Sequence, residues 1–131
     1  MLVNKPFTMD EYEADKARVA REYGIKREDW KDCVGKGWSD IIDGIVECVK
    51  CLEANYKFDL QVQDVKEKFG GLRFYYSVSG KDYEMVDYRM DGIVDMAEAM
   101  SYRTCEHCGA RGKPTKGGWI KTLCDKCKGE K

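Results

Sequence analysis

Cys105-Glu-His-Cys108 and, fifteen residues on, Cys124-Asp-Lys-Cys127 decide how the C-terminal third of this chain folds. Each C-x2-C places two sulfurs on one tight turn. The stretch between the pairs is long enough for a short hairpin to bring the second pair back to the first. Gly109 follows the first pair directly, where a metal knuckle needs a backbone with positive φ. The spacing therefore predicts a zinc ribbon with Cys105, Cys108, Cys124 and Cys127 on a single zinc ion. Four thiolates leave no open position for an activated water, so the expected role of the metal is structural. His107 lies inside the first turn and reads as a bystander. The competing reading is two disulfides. Residues 1–8, Met-Leu-Val-Asn-Lys-Pro-Phe-Thr, lack the apolar core of a secretory signal, which favours reduced thiols and a cytoplasmic setting.

Working outward, the 131 residues suffice for one modest domain and a small appendage. Charged residues make up 36% and the mean hydropathy is -0.63, and no apolar run is long enough to span a membrane. The net charge of -1 is unevenly spread. From Arg103 onward eight Lys/Arg stand against three Asp/Glu, a formal +5, so the first 102 residues carry -6. A zinc ion on four thiolates adds about -2 locally, which leaves the ribbon basic and the body acidic. That surplus is compatible with nucleic acid but too small to demand it.

The expected fold class is α+β, with three helices packed on a β-hairpin. Thr8-Met-Asp-Glu11 reads as a capping box flanked by a Phe7/Tyr12 staple, opening a helix over 8–23 that Gly24 stops. Residues 25–37 are charged, with Trp30 as an anchor and Gly35-Lys-Gly37 as a break. Trp38, Ile41, Ile42, Ile45, Val46, Val49, Leu52 and Tyr56 share one face of a central core helix over 38–56. Residues 59–79 read as a hairpin turning at Gly70-Gly71. That turn sets Phe69 opposite Leu72, Glu67 opposite Phe74, Val65 opposite Tyr76 and Gln63 opposite Val78 on the core face. Lys68 then faces Arg73, and Lys66 faces Tyr75, on the outer one. A helix over 82–102 carries an apolar stripe of Val86, Met90, Ile93, Val94, Ala97 and Met100. Glu84, Asp87, Asp91, Asp95 and Glu98 form a second stripe about 120° away. The division is a domain over 1–102 and a zinc ribbon over 103–131, joined almost without linker and so docked rigidly.

Three surfaces are candidates for function, each with a plainer alternative. On the outer hairpin face, Lys66, Lys68 and Arg73 beside Tyr75 combine phosphate-pairing charge with an aromatic plate for a base. Antiparallel sheets routinely leave such a face simply solvated, and that reading is preferred. At the ribbon tip, Lys116 and Lys121 flank Trp119, a residue type enriched in interface hot spots. Trp119 is equally suited to covering the zinc site, and packing is the preferred reading. The acidic stripe suits a basic groove, including one that normally holds nucleic acid, yet charge runs on helices are usually solvated faces.

Cys48 and Cys51 form another C-x2-C inside the core helix, and Cys33 lies upstream. No fourth ligand is evident, and a redox pair would stand at a helix start after a strand. Half-buried cysteines without a site are the preferred reading. Enzymatic patterns are missing: His107 is the sole histidine, so a Ser-His or Cys-His nucleophile is hard to build. No phosphate-binding glycine loop is present. Catalysis is not expected.

The run Val65-Lys-Glu-Lys-Phe-Gly-Gly-Leu-Arg-Phe-Tyr75, the amphipathic helix after it, Thr104-Cys-Glu-His-Cys-Gly109 and Gly118-Trp-Ile-Lys-Thr-Leu-Cys124 together resemble a group of short phage and bacterial proteins. That group shares a KEKFGGLRFY hairpin and a C-terminal zinc ribbon, and the resemblance covers residues 60–127. The last ligand there is often histidine, where this chain has Cys127; either binds zinc. The resemblance implies a phage or bacterial origin and no particular activity. The expected function is a zinc-binding adaptor or regulator that binds a host protein complex. The alternatives are direct nucleic-acid binding and phage-encoded inhibition of a nucleic-acid-handling host defence complex.

Overall fold

A computed structural model describes residues 24–129. The helix expected over residues 8–23 lies outside the described residues. The architecture is α+β, as expected. Two 3₁₀ turns, Arg27–Cys33 and Lys36–Trp38, lead into helix α1 (Ser39–Asn55). Strands β1 (Asp59–Lys68) and β2 (Gly71–Ser79) form an antiparallel hairpin, and helix α2 (Tyr83–Ser101) follows. The C-terminal segment adds two short paired strands, β3 (Lys113–Pro114) and β4 (Thr122–Leu123), and a single turn of helix, α3 (Asp125–Gly129).

The core forms where both helices meet one face of the hairpin. Trp38, Ile42, Ile45, Val49 and Leu52 recur every three or four residues along α1, so a single helix face carries them all inward. They meet Val62, Val65, Leu72 and Phe74 from the hairpin and Val86, Met90 and Ala97 from α2. Trp30 is the anchor expected of it: its ring meets Phe74 edge-on at 5.1 Å, and its indole N–H donates to the Ile25 carbonyl.

The hairpin register differs from the expected one by two residues. Lys68 pairs with Gly71, Glu67 with Leu72, Lys66 with Arg73, Val65 with Phe74 and Asp64 with Tyr75. The two-residue turn is therefore Phe69-Gly70, with φ of 54° and 83°. Because strand side chains alternate with a period of two, a slip of two leaves residues 64–68 and 72–76 on their expected faces. Gln63, expected on the core face, gives way there to Val62 and bonds the Ser77 hydroxyl instead. A bulge at Gln63 then shifts the ladder, so that Val62 pairs with Tyr76 and Leu60 with Val78. Phe69 leaves the core face altogether. Glu67, the one charge on that face, accepts the Gly70 N–H at 2.8 Å and so closes the turn.

Gly71 serves a different purpose from turning. A Cβ there would fall on the Tyr102 ring, so the glycine is a packing requirement at the C-terminal end of α2. The amide of the next residue, Leu72, donates to the buried Ser101 hydroxyl at 2.8 Å, which fixes this end of the hairpin against the helix.

Candidate metal centre

The excursion between the cysteine pairs folds back as the spacing predicts. β3 and β4 pair antiparallel, Thr104 bridges Arg111, and the Thr115 amide donates to the Lys121 carbonyl at 2.7 Å. The four sulfurs of Cys105, Cys108, Cys124 and Cys127 consequently lie within 4.8 Å of one another. A tetrahedron of thiolates at about 2.3 Å from zinc spaces its sulfurs by about 3.8 Å. The separation of Cys108 and Cys124, 3.6 Å, fits that figure and is far too long for a disulfide. The site can hold one metal ion, and an all-thiolate tetrahedral set suits a single structural zinc.

Local backbone geometry builds each half. In the first turn Gly109 has φ of 83°, and its N–H donates to the Cys105 carbonyl while the Cys105 N–H donates to Ala110. In the second, the Cys127 N–H points at the Cys124 sulfur, 3.4 Å away, at the start of α3. Cys105 is buried, which by itself raises its thiol. Backbone N–H groups of Cys124, Cys108 and His107 outweigh that burial and lower it to about 6. Cys127 is pushed up, first by its sulfur neighbour Cys124 and then by burial. Such opposite shifts are what crowded thiols do when one of them takes the negative charge. His107 is exposed and outside the cluster, the bystander expected.

The first knuckle is seated on the Gly35-Lys-Gly37-Trp38 turn. The Gly37 N–H donates to the Glu106 carbonyl at 2.9 Å, and the Trp38 indole N–H to the Thr104 carbonyl at 2.8 Å. A Cβ on Gly37 would fall on the Cys105 carbonyl oxygen, and one on Gly35 on the Glu106 carbonyl oxygen. These two glycines are thus the floor of the knuckle rather than the simple break expected. A second seat lies at the hairpin tip, where the buried Thr122 hydroxyl donates to the Gly70 carbonyl at 2.6 Å. The buried Glu106 carboxylate ties the two halves together by accepting the Thr122 N–H and pairing with Lys121. Sequence reasoning missed Glu106 and Thr122; neither stands at a metal-ligand spacing that would single it out.

The other candidate residues are distributed as follows. Trp119 is 77% exposed, so it does not cover the thiols as expected. Lys116 is exposed on the same loop. On the outer hairpin face Lys66 pairs with Asp64 at 3.2 Å and lies over the Tyr75 ring, while Lys68 lies over Phe69. Arg73 reaches Glu98 at 3.4 Å, and its guanidinium also meets the Tyr102 hydroxyl. The acidic stripe is therefore joined to the hairpin: Glu98 holds Arg73, and Asp91 accepts the Tyr76 hydroxyl. Glu84, Asp87 and Asp95 are exposed. Cys48 and Cys51 are exposed rather than half-buried. Among the described residues they belong to no second cluster of three potential metal ligands.

Among the described residues, no helix is long and apolar enough to cross a membrane. No protein-family model, no curated protein and no solved structure matches the chain.

Proposed function

We propose that this chain is a non-catalytic, zinc-stapled adaptor that binds a protein complex through the edge where the hairpin tip meets the ribbon. The observation that carries the reading is Phe69. It is 62% exposed and holds φ of 54° in a turn position that Asn or Gly fills at lower cost. A left-handed bulky residue costs roughly 1–2 kcal/mol, and here no burial offsets it. A ring held out in solvent at that cost is better explained by recognition than by folding.

Trp119 stands on the other side of the same junction. Gly70, next to Phe69, lies against Ile120, next to Trp119: a Cβ on Gly70 would be 3.3 Å from the Ile120 methyl. Exposed aromatics rimmed by Lys68 and Lys116 suit a partner with an apolar pocket and an acidic border. Nucleic acid is the weaker reading, because Lys66, Arg73 and Lys121 each already face a carboxylate. The decoy reading of the acidic stripe is weakened by the same pairing, which commits Glu98 and Asp91 to the hairpin.

Affinity capture from the native host, followed by mass spectrometry, tests this. A partner held by the wild type should be lost with Phe69→Ala or Trp119→Ala while fold and zinc content stay unchanged. Equal capture by both variants would remove the proposed edge. Salt-sensitive binding to bare DNA or RNA, abolished by Lys66→Glu, would instead favour the nucleic-acid reading.

A further inference from the structure

We infer that the chain forms an isologous homodimer through the outer faces of α1 and α2, independently of the recognition edge above. The two helices run antiparallel. Arg89, early in α2, lies over the ring of Tyr56 at the end of α1, while Trp38, just before α1, bonds to Thr104, just after α2. Away from the hairpin, their line of contact opens into a mostly apolar groove of about 1280 Å³.

The residues lining that groove follow the spacing of a helix-bundle seam. On α1 they include the series Ile41, Gly44, Cys48, Cys51 and Asn55, and on α2 the series Arg89, Gly92, Met96 and Met100, alongside Ile45, Leu52, Ile93 and Ala97, which the groove shares with the core. Both series advance in steps of three and four, the repeat that packs one helix against others. Each is offset by one position from the series that faces the hairpin, Ile42–Ile45–Val49–Leu52 and Val86–Met90–Ala97. The helices thus carry two apolar stripes apiece, and the described residues of one copy cover one of them. Met96 is 63% exposed. Gly44 and Gly92 present bare backbone, with nothing within 4 Å of where a Cβ would stand. Small residues at the centre of such a face let other helices approach closely.

Charge selects a second copy as the occupant. Arg89 lines one end of the groove and Asp40 the other, and neither is paired with an opposite charge among the described residues. A two-fold axis through the middle exchanges the ends, so Arg89 of each copy meets Asp40 of the other, twice per dimer. The two helix pairs then close as a four-helix layer with the hairpins outside. Cys48 lies one residue past the midpoint of α1 and Gly92 at the midpoint of α2. The axis therefore brings the two Cys48 thiols together.

Sedimentation equilibrium of the full zinc-loaded chain should show a monomer–dimer equilibrium. Asp40→Lys and Arg89→Glu should each weaken the dimer by about tenfold, since each replaces two attractions by repulsions. The double reversal should restore it, an outcome that mere surface damage cannot produce. A short thiol-to-thiol crosslinker should trap a covalent dimer that Cys48→Ser abolishes and Cys33→Ser does not. A monomer at millimolar concentration overturns the inference, whether residues 1–23 or another protein covers the groove. Single and double reversals that weaken association alike would overturn the two-fold arrangement.

Discussion

Phe69 and Gly70 together make the turn, yet only the second is a residue the geometry favours. The left-handed conformation at position 69 costs a β-carbon-bearing residue what asparagine largely avoids by bonding its own backbone. Phe69→Asn should accordingly raise the stability of the zinc-loaded protein by about 1 kcal/mol in urea unfolding, with no change in slope. The same substitution should lower partner capture, so stability and binding would move in opposite directions. Gly37 is the converse case. Its α-carbon lies so near the Cys105 carbonyl that Gly37→Ala must push the knuckle away. That change should cost about 1–3 kcal/mol, the range for overpacking, and should speed zinc loss to a chelator. Unaltered zinc release would show that the turn is not the seat of the knuckle.

At the scale of elements, the hairpin and α2 are joined through polar bonds over an apolar interface. Tyr76 is one of them. Burial first, then its bond to Asp91 and the charges of Asp91, Asp87 and Asp95, raise its phenol well above the ordinary value of 10.0. A phenol whose folded pKa is raised adds stability that is complete below pH 10 and is lost as pH climbs past it. Unfolding free energy should therefore fall as pH rises above about 10, and the fall should extend to higher pH than in Asp91→Asn, where part of the upward push is gone. Ultraviolet titration of the phenolate locates the onset. A fall in the variant that extends as far as in the wild type would mean that Asp91 does not govern this tyrosine.

The same elements show what was readable from sequence. Periodicity identified α1 and α2 to within a residue or two at each end, because a stripe repeating at 3.6 residues survives tertiary packing. The hairpin was legible as an element but not in register. Gly70-Gly71 looks like the turn, whereas Gly71 is kept small by Tyr102, a contact from the far end of α2 that strand alternation does not encode. The bulge at Gln63 is likewise set by pairing, not by composition.

For the molecule as a whole, the metal site joins segments that are remote in sequence: the turn before α1, the tip of the hairpin, and the C-terminal ribbon. All four thiols were readable from their spacing, since each C-x2-C brings two sulfurs to one ion within a single turn. The residues that seat the ribbon, Gly35, Gly37, Glu106 and Thr122, were not, because what they contact is backbone from distant segments. Trp119 does not act as the cover its place beside the thiols suggests. Cys105, on the knuckle seated against the Gly35–Trp38 turn, and Cys127 are buried without the indole, which stays in solvent. It follows that Cys105→Ser should loosen the hairpin tip as well as the ribbon, and amide exchange should rise at Gly70 and Leu72 along with residues 105–127.

X-ray absorption at the zinc edge on the purified, zinc-loaded chain tests the central claim most directly. The account predicts one zinc per chain, with four sulfur neighbours at about 2.3 Å and no oxygen or nitrogen in the coordination shell. A mixed shell containing a water or imidazole, or less than one zinc bound with the thiols found oxidised in pairs, would contradict it.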